Sequence, residues 1–186
     1  MIKKMLSRAD ALKRVQTEVQ TKNLVKHMLA VEACMRSLAK KLGEDEELWG
    51  LTGLLHDLDY EQTKDNPEQH ALTTCQMLAD AGIPQDGLDA ILAHNQHKPC
   101  DTKIEQALFA IDPMSGFLVA CALMHPDKKM APLDVTFVLN RMKEKRFAAG
   151  ANREQMASCS QLGLSMEEFI PVCLTAMQGI SEELGL

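Results

Sequence analysis

The stretch WGLTGLLHDLDYEQT, residues 49–63, decides how this chain is read. Leu48, Leu51, Leu55 and Leu58 recur at helical spacing, while Trp49 and Leu54 fill the other faces. A helix apolar almost all round is a buried one. Yet this helix finishes on His56, Asp57 and Asp59. Carboxylates at a helix C-terminus meet the negative end of its dipole, which is the unfavourable end. A solvated surface turn is one explanation. A cation bound there is the other, because its charge would offset both the acids and the dipole.

Upstream of this stretch, a short amphipathic helix is expected at about 10–20. In the next one, Leu24, Met28, Val31, Met35, Leu38 and Leu42 alternate spacings of four and three, and Gly43 supplies the stop. His27 falls roughly 60° from the centre of that stripe at 100° per residue, so it borders the core. The helix of the opening stretch is expected over 46–58, with Gly53 leaving room for another group to approach. Downstream, Asn66, Pro67 and Gln69 read as N-cap, first helical residue and capping-box partner of a helix closed by Gly82 and Pro84. That places His70 in or just beyond its first turn. The segment after Pro84 turns Leu88, Ile91 and Leu92 inward and ends on His94 and His97, before Pro99. Thr102 and Glu105 open another helix at capping-box spacing, which Pro113 is expected to kink or break. Further helices are expected near 133–145, 152–161 and 166–184. No stretch alternates with period two, and no repeat or linker interrupts the pattern. The reading is all-α: a compact helical bundle forming one domain over 1–186.

Composition sets the outer bounds. With 186 residues, 46% hydrophobic and 25% charged, the chain can bury a sizeable core. A formal net charge of −6 opposes an extended nucleic-acid surface. A small anionic substrate is still compatible, since it needs only a local field. The six cysteines form no C-x-x-C pair, which fits reduced thiols in a cytoplasmic protein. The N-terminus carries no apolar signal-peptide core. Residues 107–124, ALFAIDPMSGFLVACALM, are long enough to span a membrane. Asp112 and Pro113 near the middle make a core helix the better reading, with no membrane partner.

The ionisable residues at awkward, core-adjacent places are His27, His56, Asp57, His70, His94 and Asp112. Each alone has an ordinary explanation. A histidine beside an apolar stripe is usually a satisfied core residue, and a histidine at a helix end complements the dipole. Asp112 is harder to dismiss. It is the only carboxylate between Glu105 and Asp127, and burial of an unpaired carboxylate is costly, so it must be paired, bind a metal or cap a helix break at Pro113. Together, imidazoles and carboxylates on several helices suit a transition metal or magnesium held inside a bundle.

The order His27…His56-Asp57…Asp112 resembles the H…HD…D pattern of the HD-domain superfamily of metal-dependent phosphohydrolases. The likeness runs over about 23–124, and residues 132–186 are similar to the C-terminal helices of small HD hydrolases that pack on such a core. The resemblance implies an all-helical HD domain with a first metal held by His27, His56, Asp57 and Asp112. It implies a second at His70 and His94, with Asp57 bridging, and a catalytic group of His56, Asp57, His70 and His94. One or two divalent ions are expected, of manganese, iron, cobalt, nickel, zinc or magnesium. Many members continue His-Asp with Ile-Gly-Lys. The Leu58-Asp59-Tyr60 found here sets a lysine-assisted mechanism aside and leaves Asp59 either to orient a ligand histidine or to sit solvated at a helix end.

The expected activity is hydrolysis of a phosphate ester, with a nucleotide among the candidates, by metal-activated water. With a single metal, His70, His94 or His97 is available as an acid. Over 128–146, six Lys and Arg face only Asp134 and Glu144, and Arg153 follows. This run offers a hold for phosphate, although a solvated helix face is the simpler reading. The expected partner is a small phosphorylated substrate, with homo-oligomerisation open. Three alternatives stand beside the hydrolase: a non-catalytic metal- or nucleotide-binding HD module, a structural interaction protein and a di-iron oxygenase.

Overall fold

The computed structural model describes residues 4–186, and among them the regular structure is entirely helical. The elements are α1 (Arg8–Glu18), α2 (Lys22–Leu42), α3 (Glu46–Leu55), α4 (Tyr60–Thr63), α5 (Leu72–Met77), α6 (Gln85–His94), α7 (Lys103–Met124), α8 (Val135–Met142), α9 (Arg153–Ala157), α10 (Met166–Gln178) and α11 (Ser181–Leu184). The leucine–methionine stripe of α2 does what its spacing predicts. Met28, Val31, Met35 and Leu38 are fully buried, and Gly43 ends the helix in the left-handed region at φ 71°. That stripe packs against α3, α7 and α10, while α7 also packs against α6 and α9. α2 and α7 are therefore the two central rods.

Gly53 sets the approach of α3 to α2. A Cβ there would lie 2.9 Å from Met35 Cγ and 3.1 Å from the Val31 carbonyl oxygen. Only a hydrogen at this position lets the two backbones come that close, which brings the end of α3 beside His27.

Three boundaries differ from the sequence reading. The helix expected over 46–58 stops at Leu55, with His56 as its C-cap. The Asp59 N–H turns away to donate to Thr74 Oγ (3.1 Å), and the Asp59 carboxylate accepts the Thr74 N–H (3.0 Å). A partner 15 residues away thus outcompetes the helical ladder. The helix expected to open at Asn66 is only a 3-10 turn over Pro67–Gln69, and Asn66 makes no side-chain cap. Ala71 then takes φ 69°, a conformation that costs a residue with a Cβ about 1–2 kcal/mol. The break turns His70 inward. Finally, α7 runs unbroken through Pro113. The missing N–H forfeits one helical bond, but Ile111, Met114, Phe117 and Leu118 on either side are fully buried and hold the helix in place.

The Thr102–Glu105 capping box forms as expected. The C-terminal expectations resolve into shorter pieces, capped by Asp134, Asn152 and Ser165, and the last divides at Gly179–Ile180. α7 is the one helix among the described residues long and apolar enough to cross a bilayer. Here it serves as a core helix, covered by α2, α6 and α10.

Candidate metal centre

All six residues singled out by the sequence come together, from five separate places in the chain. His27 lies in the second turn of α2, His56 caps α3, and Asp57 follows it. His70 sits in the break before α5, His94 is the last residue of α6, and Asp112 is mid-α7. Asp57 is the hub. Its Oδ2 faces His27 Nε2 at 3.6 Å, while its Oδ1 faces the Nε2 atoms of His56 (3.3 Å), His70 (3.3 Å) and His94 (3.5 Å). Asp112 Oδ1 lies 3.1 Å from His27 Nε2 and 3.8 Å from His56 Nε2.

The other ring nitrogens decide the tautomers. His56 Nδ1 donates to the Gly53 carbonyl at 2.7 Å and His94 Nδ1 to the Ile91 carbonyl. His70 Nδ1 donates to the Asp59 carboxylate at 2.7 Å. Ser115 Oγ donates to the Asp112 carbonyl (2.9 Å), so it accepts from His27 Nδ1 (3.1 Å). A neutral imidazole that donates through Nδ1 carries its lone pair on Nε2. Four lone pairs therefore converge on one carboxylate, with His70 Nε2 and His94 Nε2 only 3.2 Å apart. Lone pairs so close to each other and to carboxylate oxygens repel unless cationic charge lies between them. Among the described residues, His56 Nε2 is buried without a hydrogen-bond partner. His27, His56 and Asp112, and likewise His56, Asp57 and His94, offer donor atoms within 4.8 Å of one another. The donor set fits a divalent metal by chemistry as well as position.

Acid–base properties follow the same demand for positive charge. Burial alone would raise the Asp57 carboxyl, but His56, His70 and His94 overcome it and hold it well below the usual range. Burial is likewise outweighed at Asp112, which His27 and His56 hold low. Burial would lower His70, yet Asp57 and Asp59 push it up to about 9. At fully buried His56, burial is again overcome, by Asp57 and Asp112, and the imidazole is raised.

The group opens into a cleft of about 580 Å³, whose remaining walls include Asn23, Leu24, Tyr60, Asn95, Gln96 and Gln155. Among the described residues, no Lys or Arg lines it. Asp59 is not a solvated acid: it is fully buried and fixes His70. His97 does not line the cleft. It is exposed and donates through Nε2 to the His70 carbonyl (2.7 Å). Lys128, Lys129, Lys143, Lys145 and Arg146 are exposed and stand away from the cleft walls, as a solvated face would. Arg153 is committed elsewhere: it donates to the carbonyls of Ala148 (2.7 Å), Ala151 (2.8 Å) and Phe147, and lies over the Phe117 ring. Ser115 and Thr74 went unread in the sequence, because nothing local marks a hydroxyl whose partner is 88 or 15 residues away.

The HD domain profile matches residues 24–116, half of the chain, and spans all six donors, the four of the H…HD…D order among them. The chain belongs to the HD domain family. Among curated relatives, Ribonuclease Y of Nitratidesulfovibrio vulgaris (strain DP4) is 30% identical over 96 residues, 52% of this chain and 18% of the relative. Ribonuclease Y of Sulfurovum sp. (strain NBC37-1) is 26% identical over 135 residues, 71% of this chain and 26% of the relative. The chain thus spans about a fifth to a quarter of the length of these relatives. No solved structure matches it. The HD domain family is one of metal-dependent phosphohydrolases, and the His/Asp cluster offers groups that could hold a metal ion.

Proposed function

We propose that the protein hydrolyses a phosphate ester, a nucleotide among the candidates, in the cleft above Asp57. The observation that carries this reading is the convergence of four imidazole Nε2 atoms and two carboxylates on one point, each ring anchored through Nδ1. His27, His56, Asp57 and Asp112 would hold one divalent ion, and His70 and His94 a second, with Asp57 available to both. When bound, such ions supply Lewis acidity toward water and phosphoryl oxygens. The chain itself supplies the rest. Asp59 and Ser115 keep His70 and His27 in the donor tautomer. Asn23, Asn95, Gln96 and Gln155 place neutral hydrogen-bonding groups around the ester. We read 1–186 as one domain, with α10 and α11 packed on α2. Its free thiols support a reducing compartment such as the cytoplasm.

The name of the relatives, Ribonuclease Y, adds short RNA phosphodiesters to the substrates worth testing. The experiment is metal analysis of the purified protein, followed by a screen of phosphomonoesters, nucleotides, cyclic dinucleotides and short RNA. Bound metal with turnover of one class supports the reading. Bound metal and nucleotide without turnover would select the non-catalytic module instead, and a metal-free protein that cannot be loaded would refute both.

A further inference from the structure

A second cavity, of about 440 Å³, adjoins the metal cleft, and the two share Asn23 and His27 along their common edge. Their chemistry differs. The cleft is polar, whereas Ala30, Val119, Leu123 and Leu184 give this cavity an aliphatic wall, with Lys26 beside them. Leu123 is 53% exposed there, one of three exposed large apolar side chains among the described residues.

Two residues in this cavity stand out, one that folding does not account for and one left free to bind. Gly116 stands inside α7, where glycine destabilises a helix relative to alanine. The usual reasons for a glycine are missing. Its φ is not positive, and a Cβ built on it would meet nothing within 4 Å. The space that a side chain would take is cavity space. Lys26 is half-buried, yet its ammonium makes no ion pair and no side-chain hydrogen bond among the described residues. That free ammonium stands beside a cavity large enough for a small organic group.

We propose that this cavity is the subsite for the non-reacting organic part of the substrate. Its occupant is a compact apolar group, aliphatic or aromatic, attached to the phosphate that sits over the histidine–aspartate cluster. Lys26 favours an occupant bearing an anionic substituent. Binding energy gathered here, away from the reacting bond, would position the ester for hydrolysis. The inference rests on the phosphohydrolase reading, and the test separates the two.

Calorimetry on the metal-loaded full chain with inorganic phosphate, methyl phosphate and 1-naphthyl phosphate measures it. The expected result is naphthyl phosphate binding at least tenfold tighter than methyl phosphate. Gly116→Leu, which fills the cavity, should erase that advantage while methyl phosphate stays within twofold of wild type and the melting temperature rises. Gly116→Ala should move in the same direction by a smaller step. A carboxylate on the naphthyl ring should tighten binding further in wild type but not in Lys26→Met. Equal affinity for methyl and naphthyl phosphate in wild type would overturn the subsite, as would an undiminished naphthyl preference in Gly116→Leu. In both cases inorganic phosphate still binds and the phosphohydrolase reading stands. If inorganic phosphate fails to bind at all, the phosphohydrolase reading falls, and the subsite with it.

Discussion

Asp59→Asn is the perturbation that tests the centre most sharply, because it changes one atom and a single charge in a residue that touches no proposed metal. Asp59 is fully buried, and its two oxygens are both committed: Oδ1 accepts His70 Nδ1–H at 2.7 Å and Oδ2 accepts the Thr74 N–H at 3.0 Å. An amide has one acceptor oxygen and one donor nitrogen. If the oxygen stays with Thr74, the NH₂ faces His70 and forces its proton from Nδ1 to Nε2, which removes the lone pair needed for coordination. If the oxygen turns to His70, the amide confronts the Thr74 N–H donor to donor. Either arrangement replaces a charge-assisted bond with a weaker or broken one, at about 1–2 kcal/mol. In the metal-free protein this lowers the melting temperature by roughly 2–8 °C. Loss of an orienting partner of this kind typically weakens metal binding about 10–100-fold.

The loss should fall on the ion at His70 and His94 and spare the one at His27, His56 and Asp112. Calorimetric titration of the stripped protein with manganese or zinc resolves the two events. Wild type should show two steps, and Asp59→Asn should weaken only one. Two unchanged steps would refute the role given to Asp59, and equal weakening of both would refute the division of ligands between two ions.

Asp57→Ala removes the shared carboxylate and should abolish both metal retention and hydrolysis; normal metal content after dialysis would exclude Asp57 from the centre. Asp112→Asn keeps the volume but loses the charge, so metal affinity should fall while the metal-free fold is hardly destabilised; full occupancy in that variant would make Asp112 a structural residue only. Gly53→Ala drives a Cβ into Met35 and the Val31 carbonyl, so it should cost about 1–3 kcal/mol and weaken metal binding by moving His56 away from His27; unaltered thermal stability would contradict the close packing of α2 on α3. The pH dependence should reverse with metal. His70 is raised to about 9 in the metal-free fold, so its stabilisation is complete below its unfolded value of about 6.5 and is lost as pH climbs toward 9. Metal-free stability should fall across that window, whereas metal retention should improve as pH rises from 5 to 8, because coordinated imidazoles must be unprotonated. Chemical denaturation of the stripped protein, set beside metal release at the same pH values, tests both slopes; parallel slopes would exclude histidine ligands.

What the sequence revealed, and what it hid, divides by range. The α2 stripe and the Thr102–Glu105 box are local patterns, and both formed as read. The six donors were legible because each is an ionisable group out of place in its own segment, and their order resembled a known one. Element ends at the centre were not legible. α3 stops at Leu55 because Thr74 captures the Asp59 N–H, and the chain breaks at His70–Ala71 so that one imidazole can donate to Asp59 and face Asp57. In each case a tertiary hydrogen bond overrides the local propensity. Arg153 shows the converse. Beside a basic run it read as a solvated residue or, less simply, a hold for phosphate, but its guanidinium ties down the carbonyls of 147–151.

The acids that close α3 also bear on how many ions the centre needs. Asp57, Asp59 and Asp112 bring three negative charges into one buried group. α3 ends at Leu55, capped by His56, and α6 ends at His94, so two helix C-termini add about half a charge each, and the total is about −4. Among the described residues, no Lys or Arg lines the cleft to offset it. One divalent ion would leave a surplus of about two negative charges facing an anionic phosphoryl group, whereas two would bring the centre near neutrality. A phosphate ester can approach the second arrangement and is repelled by the first. The electrostatics therefore favour the two-ion reading for a hydrolase, and the single-ion state as one competent only to bind metal. A wild-type titration that ends after one step, with full hydrolysis at that point, would break the link drawn between this charge and two metals.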